Sequence, residues 1–262
     1  MSTYHSKKAK EFLKNPKKVE RHDHTFWSLR QKRDAAAAEL PEWEDLREHA
    51  SRIKEHTATH LADYLEQFSN SLERNGVIVH FAKDAQEFNE MVYGILESHK
   101  VKKLVKSKSM LTEECEMNPY LIKRGINVVE SDLGERILQL MHLKPAHIVM
   151  PAVHLTRDEI GEMFEEKGIS KEKGNHAPTY LTRCAREDLR GDFMDADAGL
   201  TGCNFGIATT GDCVVSTNEG NADMSTSIPK LHIVAMGIEK VIPDYDSLAV
   251  FQRLLARSGT GQ

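Results

Sequence analysis

The sequence predicts an α/β fold, a mainly parallel sheet flanked by helices with an N-terminal helical extension. Three observations predict it. Short runs rich in β-branched residues alternate with stretches of helical periodicity, the pattern left by parallel strands joined through crossover helices. From Pro41 onward the apolar residues recur at three- and four-residue steps, as they do on one face of a helix. Polar and ionisable residues gather where the predicted strands end, which is where open α/β sheets bind their ligands.

The organisation follows from these patterns: residues 1–70 read as a basic arm and helical extension, and residues 71–262 as the α/β domain. Residues 1–33 carry ten Lys/Arg against three Asp/Glu, a net +7 on a chain whose overall net charge is -5. Trp43, Leu46, Ala50, Ile53, Thr57, Leu61, Tyr64 and Phe68 mark one long amphipathic helix, ended by Gly76. "VIVHFA" (77–82), "KKLVKSK" (102–108), "INVVESD" (126–132) and "AHIVMPAV" (146–153) are predicted strands, with helices over 85–99 and 112–124 between them. Thr156 and Glu159 form a capping box that starts the next helix, and "TYLTRCAREDLRGDF" continues the helical pattern. "NFGIAT" and "CVVSTN" flank Thr210-Gly211 as a hairpin. That register sets Cys203 near Asn218 and Cys213 near Ala208, so the two thiols are expected apart and all four cysteines free. "KLHIVAMG" (230–237) is a further strand and "YDSLAVFQRLLARSG" a closing helix.

Composition narrows the function classes. With 40% hydrophobic and 29% charged residues the chain is ordinary for a soluble domain, and no apolar run approaches the ~20 residues of a membrane span. The first residues have charge but no apolar core, so they are not a secretory signal. The basic arm carries no recognised nucleic-acid-binding motif, so it reads as a solvated terminus in preference to an arm that docks on an acidic partner or nucleic acid, and nucleic acid is not an expected partner. Cys115, Cys184, Cys203 and Cys213 show no C-x-x-C spacing, which suits a reducing cytoplasm and supplies neither a zinc nor an iron–sulfur site.

The strand ends hold the candidate site. "KSKSM" supplies Lys106, Ser107, Lys108 and Ser109; "ESDLGE" supplies Glu130, Asp132 and Glu135; "PAVH" supplies His154; "TNEGN" supplies Thr217, Asn218, Glu219, Gly220 and Asn221. Ammonium, hydroxyl and amide groups in one cleft suit a small carboxylate or related anion. Glu219 and His154 are the candidate catalytic groups. Lys106, Lys108, Ser109, Thr217, Asn218, Gly220 and Asn221, with Thr210 and Gly211 of the hairpin turn, are the candidate binding groups. Each has a bland alternative. Lys106 and Lys108 contact either a substrate anion or a protein carboxylate. His147 reads as a core histidine and His154 as either core or proton carrier. Glu130 and Asp132 bind a cation or serve as helix caps. Glu219 acts as base or nucleophile, or it points outward while Asn218 and Asn221 fix the loop.

The segments "VKSKSMLTEE", "VVESDLGERILQL", "PAHIVMPAVH", "GLTGCNFGIATTGDCVVSTNEGNA" and "HIVAMGIEKVIP" together resemble the signature segments of the LUD domain, in the subfamily of lactate utilization protein B. The resemblance runs from about Trp27 to the C-terminus and implies a fold related to ribose-phosphate isomerase and CoA-transferase. It implies a part in an iron–sulfur complex that oxidises L-lactate to pyruvate, with other lactate-utilization subunits as partners. It also implies that [4Fe-4S] clusters belong to a C-terminal ferredoxin-like region or to partner subunits, and no cofactor to this chain, which ends at "RSGTGQ". Two other classes stand beside this reading: a transferase or isomerase-like catalyst using Glu219, and a non-catalytic assembly module.

Overall fold

The basic arm folds as helix because its sequence starts one correctly. Thr3–Phe12 forms α1 and Pro16–Ala38 forms α2. Asn15 caps α2 by accepting a hydrogen bond from the Lys18 N–H at 3.2 Å, and Pro16 occupies the first turn, where its missing N–H has no cost. Neither the net charge nor the absence of any fully buried residue in α2 prevents this. The computed structural model describes residues 3–147 and 150–261. Two compact units are present, residues 1–55 with 246–262, and residues 56–245.

The single helix expected from Trp43 to Phe68 is two, α3 (Trp43–Thr59) and α4 (Leu61–Arg74), parted at His60, whose φ of -112° and ψ of 31° leave the helical region. Gly76 ends α4 in a left-handed conformation, φ +82°, which its lack of a Cβ permits. The segment 77–82 is not a strand. It has the β-branched composition of one but no ladder partner, and Ile78 is 80% and Phe81 56% exposed.

The remaining elements build the sheet and its cover. α5 (Ala85–Ser98) is capped by Asp84 and followed by β1 (Lys103–Lys106). The predicted helix over 112–124 divides into α6 (Met110–Glu114) and α7 (Met117–Ile122) at Glu116, which is left-handed at φ +50°. β2 (Asn127–Glu130) leads into α8 (Leu133–Met141). Of the strand expected over 146–153, Ile148 and Val149 lie outside the described residues, and 151–154 form turns. Pro151 has no N–H for a ladder; its ring packs instead on Gly134, where a Cβ would come within 2.8 Å of Pro151 Cγ. α9 (Arg157–Glu166) starts at the Thr156–Glu159 capping box as expected, and α10 (Pro178–Met194) follows.

β3 (Ala198–Gly202) has no counterpart in the predicted elements, yet it is central. With β4 (Phe205–Ile207), β5 (Asp212–Val214), α11 (Asn221–Ser227), β6 (Leu231–Ala235), β7 (Val241–Ile242) and α12 (Tyr245–Thr260) it completes the chain. A four-stranded parallel sheet runs in the order β2-β1-β3-β6, and a smaller one in the order β5-β4-β7. Leu104, Val128, Ala198 and Leu200 pack with Leu96 of α5 and Met117 and Leu121 of α7, whereas Val105 and Val129 pack with Leu189 and Phe193 of α10. Both faces of the sheet are covered, so its strands are apolar at successive residues and do not alternate.

The hairpin is present with a different register: Phe205 pairs with Val214, Gly206 with Cys213 and Ile207 with Asp212. The expectation of Cys213 beside Ala208 fails because the connection is four residues long. Ala208 N–H donates to Ile242 O at 2.9 Å and Thr209 N–H to Pro243 O at 3.2 Å, so both leave the β4–β5 ladder for β7. Cys213 therefore stands opposite Gly206 and not beside Ala208, and the Cys203 thiol donates to Phe205 O at 3.1 Å. All four cysteines are free. No helix among the described residues is long and apolar enough to cross a membrane.

Candidate functional site

β1 and β2 run parallel in register, so Lys106 lies beside Glu130 at the C-terminal edge of the sheet. Both share the face of Leu104 and Val128, two residues earlier, and this is the face covered by α6 and α7. Lys106 Nζ donates to Glu130 Oε1 at 2.7 Å and to Glu113 Oε1 of α6 at 2.8 Å, and Asn118 Nδ2 of α7 donates to the same Glu130 oxygen at 2.5 Å. Lys106 is fully buried. Burial by itself drives an ammonium pKa down, but the charges of Glu130 and Glu113 outweigh it and hold Lys106 above its ordinary value.

Glu135, in the first turn of α8, joins this group: one carboxylate oxygen from each of Glu113, Glu130 and Glu135 lies within 4.8 Å of the others. Burial, and then the Glu130 charge, push the Glu135 carboxyl up to about 7, against the opposing pull of Lys106 and Lys108. A buried carboxyl that changes charge near neutrality can exchange a proton there.

The strand-end loops close over the other face. Ser131 Oγ donates to Lys106 O at 2.9 Å, and Asn221 Nδ2 donates to Ser131 Oγ at 3.4 Å. Thr217 Oγ1 donates to Asn221 Oδ1 at 3.3 Å, which ties the "TNEGN" loop to β2. Glu219 is exposed in the loop, and its Oε2 accepts the Leu133 N–H of α8 at 3.1 Å. Partial burial of the carboxyl, then the Asp132 charge, raise the Glu219 pKa, while the Leu133 N–H and the Lys108 charge act against them. The half-buried Lys108 thus bears on both Glu135 and Glu219.

Not every expected residue joins this arrangement. Lys106 is turned to Glu113 and Glu130, because a fully buried ammonium needs carboxylate partners in place. Ser109 is buried as the N-cap of α6, and Asp132 caps α8 through the Glu135 N–H at 3.2 Å, the cap alternative of the two readings for Asp132. Gly220 stands before α11 at φ +72°, and Asn218 is exposed in the loop. Thr210 and Gly211 belong to the hairpin turn, seated on the end of α4 by the Asn75 Nδ2 to Thr210 O bond of 2.9 Å. His147 accepts the Met150 N–H on Nδ1 at 3.1 Å, and His154 is half-buried in the turn ahead of α9. Glu113, Asn118 and Ser131 were not singled out as site residues from the sequence. Glu113 and Asn118 reach the cluster from separate short helices, and no spacing rule links them to Lys106.

The donor set does not fit a four-thiolate iron–sulfur cluster. Cys184 is buried among the apolar side chains of α8, α9 and α10, and Cys115 follows α6. The Cys203 thiol donates to Phe205 O, and Cys213 packs against the apolar cluster of Phe68, Leu72, Ala208 and Val241.

Residues 65–262 match the model of the LUD domain. The chain is 47% identical over 235 residues to a lactate utilization protein B of Bacillus pumilus, covering 89% of this chain and 49% of that protein. It is 46% identical to the lactate utilization protein B of Oceanobacillus iheyensis, over 89% of this chain and 48% of the relative. With that of Shouchella clausii it shares 43% identity, over 89% of this chain and 49% of the relative. The chain therefore spans about half the length of these relatives. No solved structure matches it. The family match covers the sheet, the Lys106–Glu130 cluster and the Glu219 loop, and on that match the chain belongs to the LUD domain family.

Proposed function

We propose that this LUD domain acts in lactate utilization, in the oxidation of L-lactate to pyruvate, and that it binds the small carboxylate at the ends of β1 and β2. Iron–sulfur centres and the other subunits of the complex lie outside this chain in this reading. The observation that supports it is the Glu219 carboxylate on the Leu133 N–H of α8, within the field of Lys108. A free N–H in the first turn of a helix, with an ammonium nearby, is a carboxylate-binding arrangement. Glu219 holds that position while the ligand is absent.

A ligand carboxylate takes over the Leu133 N–H and the attraction of Lys108. Glu219 is then released beside it, and accepts the hydroxyl proton of a 2-hydroxy acid as it is oxidised. Its raised pKa makes it a better proton acceptor than an ordinary surface carboxylate. Glu130, Lys106 and Glu113 hold the strand ends in position without touching the ligand. The C2–H bond breaks at the same time, and its hydrogen leaves with the two electrons, as a hydride equivalent, to a carrier that this chain does not hold.

Calorimetric titration with L-lactate, pyruvate, phosphate and an acyl-CoA tests the reading. Saturable binding of lactate or pyruvate supports it. Binding of acyl-CoA alone, with hydroxylamine-sensitive labelling of Glu219, favours a transferase. Failure of all four at millimolar concentration leaves an assembly module.

A further inference from the structure

We propose that a protonated His176 fastens the connection between α9 and α10 and that this connection opens as pH rises, a pH-sensitive clasp built from residues other than those of the strand-end site. The connection, residues 167–177, is polar and glycine-containing, with Gly168 and Gly174 both left-handed at φ +71° and +74°. A segment of this kind buries little apolar surface, so hydrogen bonds decide whether it stays in place. Its two halves are held differently. Tyr180 Oη, in the first turn of α10, accepts the Lys171 N–H at 3.2 Å and the Glu172 N–H at 2.9 Å. The second half is held by α9: Glu165 Oε1 accepts the Gly174 N–H at 2.7 Å, and His176 lies against the same helix.

Both nitrogens of the His176 ring face carboxylates. Nδ1 is 3.2 Å from Asp158 Oδ1 and Nε2 is 3.1 Å from Glu165 Oε1. The two acids are two helical turns apart on α9, and Gly161 between them is the seat of the ring: a Cβ there would lie 2.1 Å from His176 Cδ2. A neutral imidazole has one N–H and one lone pair, whereas an ionised carboxylate only accepts, so the imidazolium alone donates on both sides. With 17% of its side chain accessible, the ring is largely withdrawn from water. The hydrogen bond to Asp158 first, then the one to Glu165 and the two charges, hold the His176 pKa above its ordinary value against the opposing effect of burial. The cations nearby bear on the acids: Arg157 Nε lies 3.8 Å from Asp158 Oδ1, and the Lys173 charge acts on Glu165.

A histidine whose folded pKa is raised gives stability that is fully present below its unfolded pKa and is lost as pH rises through the folded one. Loss of the proton leaves a lone pair of the ring against a carboxylate oxygen at one of the two contacts, and Glu165 is left with the Gly174 N–H. Residues 174–176 then detach from α9. Tyr180 continues to hold Lys171 and Glu172, because a phenol that accepts two backbone N–H groups does not change charge in this range. The opening is therefore confined to the second half of the connection.

The test combines an NMR titration of the His176 ring with amide hydrogen exchange of the whole chain across the same pH range, corrected for the intrinsic pH dependence of exchange. The expected result is that His176 titrates above an ordinary histidine, and that the Gly174 amide loses protection as His176 loses its proton while those of Lys171 and Glu172 do not. Asp158→Asn removes one charge and keeps an acceptor, so it should move the titration and the opening to lower pH together. His176→Gln should remove the pH dependence at Gly174. A His176 pKa at or below the ordinary value, an opening that does not follow the titration in Asp158→Asn, or the same pH-dependent opening in His176→Gln would each overturn the proposal.

Discussion

Lys106 and Glu130 are register partners on adjacent parallel strands, with Nζ 2.7 Å from Oε1 and both side chains out of solvent. The pair stands where the sheet ends and the polar strand-end loops begin. Removing two charges from water is costly, and their attraction offsets that cost only when the remaining hydrogen-bonding positions are filled. Glu113 accepts a second hydrogen bond from Lys106 and Asn118 donates a second one to Glu130 Oε1, so two short helices are held against the strand ends, although Glu130 Oε2 is buried without a hydrogen bond.

Lys106→Met should therefore destabilise the chain by about 3–5 kcal/mol, because it leaves Glu130 buried without its cation. The double variant Lys106→Met/Glu130→Leu should recover most of the loss, since Glu113, with 26% of its side chain accessible, can turn to solvent. Urea unfolding of the two single variants and the double gives the coupling. Strictly additive losses would show that the two residues do not act as a pair.

Glu135 sets a pH dependence of definite sign. Its folded pKa of about 7 lies above its usual 4.5, so the native state binds more protons between those values. The associated stability is present below about 4.5 and is lost as pH rises towards 7, on the order of 3 kcal/mol. Glu135→Gln imitates the protonated form and should flatten this part of the curve, making the variant the more stable chain above neutrality. Equal pH profiles for the two proteins would contradict the assignment.

Gly199 carries a packing constraint. A Cβ at this position would come within 1.8 Å of Ser225 O, a backbone atom of α11. Gly199→Ala should cost roughly 1–3 kcal/mol or more, since strand and helix must separate. Thermal denaturation measures it, with Gly191→Ala in α10, where a Cβ meets nothing within 4 Å, as the tolerant control.

These particulars explain what could be read from the sequence. β1, β2 and β6 were legible because their cores, "KLVK", "NVVE" and "LHIVA", have strand composition. β3 was not, because "AGLTG" gives up side chains to let α11 approach, and glycine carries no strand signal. The segment 77–82 misled in the opposite direction: composition favours a strand, but pairing requires a neighbour that no local pattern reveals. At the site, Lys108, Glu219 and the polar strand ends were legible from where polarity falls. The engagement of Lys106 by Glu113 was not, since it depends on α6 folding back over β1.

The central claim is that Lys108 and the α8 N-terminus bind a carboxylate in the position that Glu219 holds. Its most direct test is L-lactate or pyruvate affinity, by calorimetry, in the wild type, Lys108→Ala and Glu219→Gln. Loss of the ammonium should weaken binding roughly ten- to a hundredfold, the equivalent of about 1.5–3 kcal/mol for a charge-assisted hydrogen bond. Glu219→Gln should bind as tightly as the wild type or more tightly, because it removes a like charge from the Leu133 N–H. Equal affinity in all three proteins, or weaker binding in Glu219→Gln than in Lys108→Ala, would contradict the account.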